Sequence, residues 1–96
     1  MSIYRIDFDK LTGDHGTKTF KSIRLTEYSQ GLVNIDNWCE KAHTGYILEG
    51  EVMVEFENPS KLTIFNPGNG IWIPTGVKHR IRNVLTETAR ILTFNT

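Results

Sequence analysis

Apolar and polar residues alternate along most of this chain, and that alternation limits the fold more than any other feature. In the segment EVMVEFE, Val52, Val54 and Phe56 share one parity, whereas Met53 and Glu55 share the other. Successive side chains of a β-strand point to opposite faces of a sheet, so this pattern predicts a strand with one buried face. Longer windows keep the period of two or are interrupted by glycine or proline, and we therefore predict no helix.

Turn-forming residues divide the alternating segments into about eight or nine short strands. The predicted strands are residues 3–8, 18–26, 28–37, 43–49, 51–57, 61–66, 71–74, 77–84 and 89–94. Because Gly50 separates two apolar strands, we predict a hairpin at that residue. Many short strands with regularly spaced turns are typical of an all-β fold, either a small antiparallel sandwich or a barrel.

Length, charge and cysteine content narrow the class of protein further. A chain of 96 residues is expected to form one domain, residues 1–96. Its 11 basic and 11 acidic residues cancel, which argues against binding to nucleic acid or to a membrane surface. One cysteine permits no internal disulfide and favours a reducing compartment. Since we find neither a signal-peptide pattern nor an apolar run of membrane-spanning length, we expect a cytoplasmic protein.

A set of widely spaced residues stands out in the segment GNGIWIPTGVKHRIRN, residues 68–83. The set consists of Gly68, Pro74, Gly76, His79 and Asn83, separated by five, one, two and three residues. Pro74 and Gly76 turn the chain sharply, and His79 follows on the next strand. This spacing resembles the second motif of the cupin superfamily at every fixed position. The resemblance implies a cupin-type double-stranded β-helix, a jelly-roll barrel, with the histidine facing its interior.

Residues 37–50 resemble the first cupin motif in the spacing of its positions. The residues at its three ligand positions are different. That motif has two histidines one residue apart, then a glutamate, and a glycine after six further residues. With Gly50 as the glycine, His43 stands where the glutamate is usual. The two histidine positions fall on Asn37 and Cys39 for a gap of three residues, or on Asp36 and Trp38 for a gap of four. Since cupins include dioxygenases, isomerases, decarboxylases, seed-storage proteins and the ligand-binding domains of regulators, the resemblance implies no particular activity.

Cys39, His43 and His79 form the candidate metal site. Positions 39 and 43 have the same parity and can share the inward face if the residues between them form a short link. A thiolate and two imidazoles suit zinc, iron or nickel, with copper as a further option. Three protein ligands leave one coordination position open, as catalytic sites require. Asn37 or Glu49 can add an oxygen or orient a ligand.

Two other interpretations of the same residues stay open. In a metal-free barrel, Cys39 is a small buried apolar residue and both histidines are hydrogen-bonded pocket residues. The protein is then a ligand-binding or sensing module without catalysis. Alternatively, a protonated His43 activates Cys39 as a thiolate, although the sequence identifies no oxyanion donor. The expected partner of a barrel pocket is a small molecule.

The remaining histidine, the aromatic residues and two arginines are predicted to lie outside this site. His15 lies in a polar loop and is expected to be solvated. Trp38 and Tyr46 have the opposite parity to the candidate ligands, so we expect them on the outer or interface side. Arg80 and Arg82 are expected on a solvated or interface face rather than in an anion site. A homodimer is predicted, because a domain of this size is marginally stable and leaves apolar sheet surface uncovered.

Overall fold

The computed structural model describes residues 16–94, and every regular element in that part of the chain is a β-strand. The strands are β1 (Thr17–Phe20), β2 (Ile23–Leu32), β3 (His43–Glu49), β4 (Val52–Phe56), β5 (Lys61–Phe65), β6 (Gly70–Ile73) and β7 (His79–Phe94). The all-β prediction is therefore confirmed. In the same range, no helix is long and apolar enough to cross a bilayer. The predicted strand at residues 3–8 and the loop residue His15 lie outside the described residues, and a single domain over residues 1–96 stays a prediction.

Strand β7 is the centre of the sheet because other strands pair with both of its edges. Along one edge, β2 pairs antiparallel with it from Ile23–Phe94 to Leu32–Asn83. Along the other edge, β3 pairs with residues 90–94 and β4 pairs with residues 79–84. Strands β1, β6 and β5 extend the sheet beyond β2, β3 and β4, respectively. The two halves of β7 thus belong to two groups of strands that enclose one interior.

Three sequence-based predictions about strand bounds and strand pairing are wrong. The strands predicted at residues 77–84 and 89–94 form one continuous element of 16 residues, β7. The hairpin predicted at Gly50 does not form, because β3 and β4 pair with different halves of β7 and not with each other. The strand predicted at residues 28–37 also ends earlier, at Leu32.

Gly50 allows the chain to pass from β3 to β4 while lying against β7. Its φ of 77° is in the left-handed region that side chains other than glycine rarely adopt. A Cβ at this position would collide with the carbonyl oxygen of Thr88 and with the Cα of Ala89. Both the conformation and the close approach therefore require glycine.

The hydrophobic core joins β3, β4 and β7. Its buried members are Ile47, Val52, Val54, Val84, Ala89 and Ile91. Val52 and Val54 face inward as the alternation predicts, and Met53 and Glu55 have the opposite parity. Removing the valine and isoleucine side chains from water contributes about 1.5–3 kcal/mol each. Strands β3 and β4 do not pair with each other. Core packing therefore holds both of them against β7.

We predict that Gly50→Ala lowers the free energy of unfolding by at least about 2 kcal/mol, from backbone strain combined with overpacking against β7. Gly70→Ala is the matched control, because the nearest atom to its Cβ would be a backbone oxygen at 3.9 Å, an ordinary contact. Chemical denaturation of both variants measures the difference. Equal stabilities of the two variants would contradict the role given to Gly50.

Candidate metal and ligand site

Cys39, His43 and His79 reach the barrel interior from three different positions in the chain. His43 is the first residue of β3, and His79 is the first residue of β7. Cys39 lies outside the named strands but forms an isolated antiparallel bridge with His79. The Cys39 N–H donates to the His79 carbonyl at 2.8 Å, and the His79 N–H donates to the Cys39 carbonyl at 3.0 Å. This exchange of backbone hydrogen bonds fixes the cysteine beside the histidine.

The three side chains are in mutual contact range. The Cys39 Sγ lies 3.4 Å from the His43 Nε2. The rings of His43 and His79 meet edge to face, with their centroids 4.9 Å apart and their planes at 84°. One ligating atom from each of the three residues lies within 4.8 Å of the others. The structure therefore brings together the three residues named from the sequence, and their role as metal ligands stays a proposal.

The hydrogen bond of His79 determines which of its nitrogens can bind a ligand. Its Nδ1 lies 2.8 Å from the carbonyl oxygen of Val77, which can only accept a hydrogen bond. The proton of a neutral His79 is therefore on Nδ1, and Nε2 keeps its lone pair. Metal-binding histidines commonly have this arrangement, in which one nitrogen donates to a carbonyl and the other coordinates the ion.

The surroundings of His43 keep its imidazole neutral. Partial burial lowers the pKa of His43 below its ordinary value of 6.5, and His79, Arg24 and Lys41 lower it further through their positive charge. A neutral imidazole has a free lone pair at neutral pH. The histidine is thus already in the protonation state that metal binding requires.

The three residues open onto a cavity of about 230 Å³. The surface of this cavity is mainly apolar, and its aliphatic lining residues are Ile35, Val52, Val54, Ile71, Ile73, Ile81 and Ile91. Asn37 also lines the cavity, as expected of a residue that orients a ligand. Glu49, the other residue considered for that role, is exposed at the end of β3 and does not line it.

Residues 33–42 form a segment without regular structure that covers one side of the cavity; we call it the covering segment. Backbone hydrogen bonds hold it at both ends: the Val33 N–H donates to the Arg82 carbonyl at 2.9 Å, and the Gly76 N–H donates to the Glu40 carbonyl at 2.8 Å. Ile35, together with Asn37 and Cys39, faces the cavity from this segment. The Cys39–His79 bridge lies between these attachments, so the cysteine has a defined position.

Arg80 and Arg82 both bind Glu55, next to the covering segment. Arg80 Nε and Arg82 Nη2 donate to the same Glu55 oxygen at 2.8 and 2.7 Å. These hydrogen bonds, first from Arg82 and then from Arg80, lower the pKa of the Glu55 carboxyl. Arg80 alone extends to the covering segment: it donates to the Asp36 carbonyl at 2.7 Å, and its guanidinium lies 3.9 Å from the centre of the Trp38 ring. Both arginines are thus paired within the protein and not simply solvated.

Five polar residues that line the cavity were missed by the sequence interpretation. They are Arg24, Thr26, Tyr28, Thr93 and Arg80, the last of which was predicted to lie outside the site. The first three alternate on β2, and Thr93 is the register partner of Arg24 on β7. Their shared parity was visible in the sequence. No sequence signal marked the cavity-facing side of β2, because Arg24 is exposed, Thr26 and Tyr28 are half-buried, and the buried residue, Leu25, lies on the opposite face.

With the open barrel and its interior residues established, comparison with known proteins identifies the family. The model of the cupin domain family matches residues 36–95. The chain therefore belongs to the cupin domain family, as the two motif-like segments indicated. No curated protein matches it in sequence.

Solved structures with the same fold include proteins of different activities. A cupin-2 domain containing protein from Shewanella frigidimarina has a TM-score of 0.61 and 17% identity, over 90% of this chain and 84% of that one. The polyketide cyclase RemF from Streptomyces resistomycificus has a TM-score of 0.60 and 19% identity, over 96% and 78%. The Fe(II) form of HppE in complex with substrate has a TM-score of 0.60 and 15% identity, over 90% and 56%. At these identities the similarity establishes the fold alone.

We predict that the metal-free protein loses stability as the pH falls below 6.5, the ordinary pKa of histidine. The pKa of His43 is lowered by folding, so the unfolded chain takes up a proton first, and the contribution of neutral His43 is lost as the pH falls through its folded pKa. Urea unfolding between pH 7.5 and 5 in wild type and His43→Gln measures this slope. Equal slopes in the two proteins would contradict the prediction.

We further predict that Arg80→Gln exposes Cys39, because this variant loses the contacts with Asp36 and Trp38 that hold the covering segment. The expected result is a several-fold faster reaction of Cys39 with a thiol reagent. Arg82→Gln is the control: it also loses hydrogen bonds to Glu55 but leaves the side-chain contacts with the covering segment intact. If both variants react at the wild-type rate, Arg80 does not position the segment.

Proposed function

We propose that this protein is a small-molecule-binding cupin that holds one divalent metal ion with Cys39, His43 and His79. The observation that carries the proposal is the convergence of one thiol and two imidazoles to within 4.8 Å at the edge of a cavity. Two histidines this close repel each other if both take up a proton, so their proximity favours the neutral rings that can bind a metal. A metal ion relieves this constraint by binding both neutral rings.

The spacing of the three groups suits a metal of the first transition series. Zinc lies about 2.0–2.1 Å from a histidine nitrogen and about 2.3 Å from a cysteine sulfur, so neighbouring ligand atoms of a tetrahedral site are about 3.5 Å apart. The Cys39–His43 distance of 3.4 Å already has this value. The largest separation, 4.8 Å, requires only a small inward shift of one ring.

The residue types narrow the choice of ion and define its chemistry. A thiolate with two imidazoles favours zinc, iron or nickel over magnesium or calcium, which prefer oxygen ligands. Bound here, such an ion would act as a Lewis acid or activate dioxygen or a substrate. The protein itself supplies an open coordination position, a largely aliphatic cavity that limits access of water, and Asn37 as a neighbouring polar group. In the same fold, HppE is described with Fe(II) and its substrate, which is compatible with a metal beside an organic molecule.

The competing function is a metal-free binding or sensing module. One observation favours it: Cys39 and His43 lie at hydrogen-bonding distance from each other and can satisfy each other without an ion. In that case the cavity binds its ligand by apolar contact and by its polar wall. The two functions differ in metal content, which can be measured directly.

We predict about one metal ion per chain after incubation of the untagged, chelator-treated protein with zinc, nickel, manganese or, under anaerobic conditions, Fe(II). His43→Ala and His79→Ala should lose most of the bound metal, and Cys39→Ala should bind it more weakly, since each variant removes one of three ligands. Elemental analysis after dialysis is the measurement.

Two controls make this experiment decisive. His15→Ala removes the third histidine of the sequence and should retain the metal. Circular dichroism of each variant separates loss of the site from loss of the fold. Wild-type protein that stays empty with all four metals would refute the metal site and leave the metal-free module.

The predicted homodimer and cytoplasmic location stay proposals. Tyr46, Trp72 and Phe94 lie on the outer face of β3, β6 and β7, and the Trp72 side chain is 76% exposed. A second copy of the chain would cover apolar area at this face. Analytical ultracentrifugation of the wild type beside Trp72→Glu tests that arrangement.

A further inference from the structure

One wall of the cavity is polar and positively charged. Arg24, Thr26 and Tyr28 line it from alternate positions of β2. Thr93 lines it from β7, where it is the register partner of Arg24. The wall therefore presents one guanidinium and three hydroxyl groups to a cavity whose other surface is largely aliphatic.

Arg24 differs from the other arginines between residues 16 and 94 in having no acidic partner there. Arg80 and Arg82 bind Glu55, and Arg90 lies 3.8 Å from Glu27. No ion pair or hydrogen bond occupies the Arg24 side chain in this part of the chain. Five donor groups of its guanidinium are thus free for a ligand.

The hydroxyl groups beside Arg24 are also largely free. Those of Tyr28 and Thr93 have no hydrogen-bond partner among residues 16–94, whereas the Thr26 hydroxyl lies 3.5 Å from that of Thr17. Burial raises the pKa of Tyr28, although Arg24 acts in the opposite direction. Tyr28 therefore stays protonated at neutral pH and can donate a hydrogen bond.

The charged wall lies within the reach of a small molecule from the candidate metal ligands. Strands β2 and β3 flank β7, and neighbouring strands are about 4.8 Å apart, so the backbones that carry Arg24 and His43 are separated by about 10 Å or slightly more. The long arginine side chain covers part of that distance. With a volume of about 230 Å³, the cavity is smaller than the pockets of about 300 Å³ or more that hold drug-sized molecules.

We propose that the ligand of this cavity is a small carboxylate with an oxygen donor at its other end. The carboxylate pairs with the fork of Arg24 and accepts hydrogen bonds from Tyr28 and Thr93, while the distal oxygen faces Cys39, His43 and His79. Planar guanidinium and carboxylate groups form two parallel hydrogen bonds, which favours arginine at such a site.

A carboxylate fits this wall better than a phosphate. Arg24 supplies the only lining charge without an acidic partner among residues 16–94, because Arg80, which also lines the cavity, is paired with Glu55. The aliphatic surface opposite cannot stabilise a second negative charge. A doubly charged phosphate would therefore leave one charge uncompensated in a small cavity. This inference rests on the proposed function only for the metal-facing end of the ligand, and the role of Arg24 stands independently of a bound ion.

The test uses isothermal titration of the full chain with succinate, with succinamide as its neutral isostere and with inorganic phosphate. Each titration is made with metal-loaded and with chelator-treated protein. Arg24→Gln removes the charge, Arg24→Lys keeps the charge without the fork, and Lys61→Gln removes one charge at an exposed position outside the cavity.

The expected result is binding of succinate in preference to succinamide and phosphate, weakened about tenfold in Arg24→Gln, as loss of a charge-assisted hydrogen-bonded pair predicts. Arg24→Lys should be intermediate, and Lys61→Gln should match the wild type. The proposal is overturned if succinate does not bind in the millimolar range, if succinamide or phosphate binds as well, or if Arg24→Gln has the wild-type affinity.

The same data separate this inference from the proposed metal site. If the protein takes up no metal but still binds succinate through Arg24, the metal site fails and the carboxylate wall is supported. If Arg24→Gln keeps its metal and binds succinate with the same affinity as the wild type, the carboxylate wall fails and the metal site is unaffected.

Discussion

The pairing of β7 along both edges positions the candidate functional side chains. At its first residue, His79 lies between Cys39 on one edge and Phe56 of β4 on the other. Near its end, Thr93 lies between Arg24 of β2 and Gly45 of β3. Because the strand crosses the whole barrel, side chains near both of its ends line one cavity. A shift of this pairing by one residue would turn all of them to the outer face.

Main-chain hydrogen bonds position Cys39 beside His79 in the candidate site. The covering segment has no regular structure, yet its backbone pairs with β7 at Cys39 and with flanking residues. Two imidazoles and a thiol are therefore held close together, and partial burial together with the nearby His79 lowers the pKa of His43. This is the preorganisation expected of a binding site, in which secondary structure holds the geometry that the ligand requires.

The sequence predicted well which side of a strand faces the interior and which fold the chain adopts. It predicted poorly which strands pair with each other. Alternation placed Val52 and Val54 inside, and the spacing of Pro74, Gly76 and His79 indicated the barrel. Periodicity describes which side a residue faces but not which strand lies beside it, so the chain around Gly50 was wrongly interpreted as a hairpin. The position of Cys39 depended on a gap length, which only the bridge to His79 determines. The charged wall at Arg24 was not predicted, because its β2 residues are exposed or half-buried and the one buried residue of that strand, Leu25, lies on the opposite face.

The groups present in the cavity also limit the chemistry that it can support. No aspartate or glutamate between residues 16 and 94 lines it, so this part of the chain offers no carboxylate as a general base there. The hydroxyl of Tyr28 is a donor, because burial raises its pKa. The lone pairs of His43 and His79 are engaged once both coordinate a metal. What remains is a cation at one wall, a candidate Lewis acid at another and an aliphatic surface between them. This arrangement suits binding and polarising a small anion.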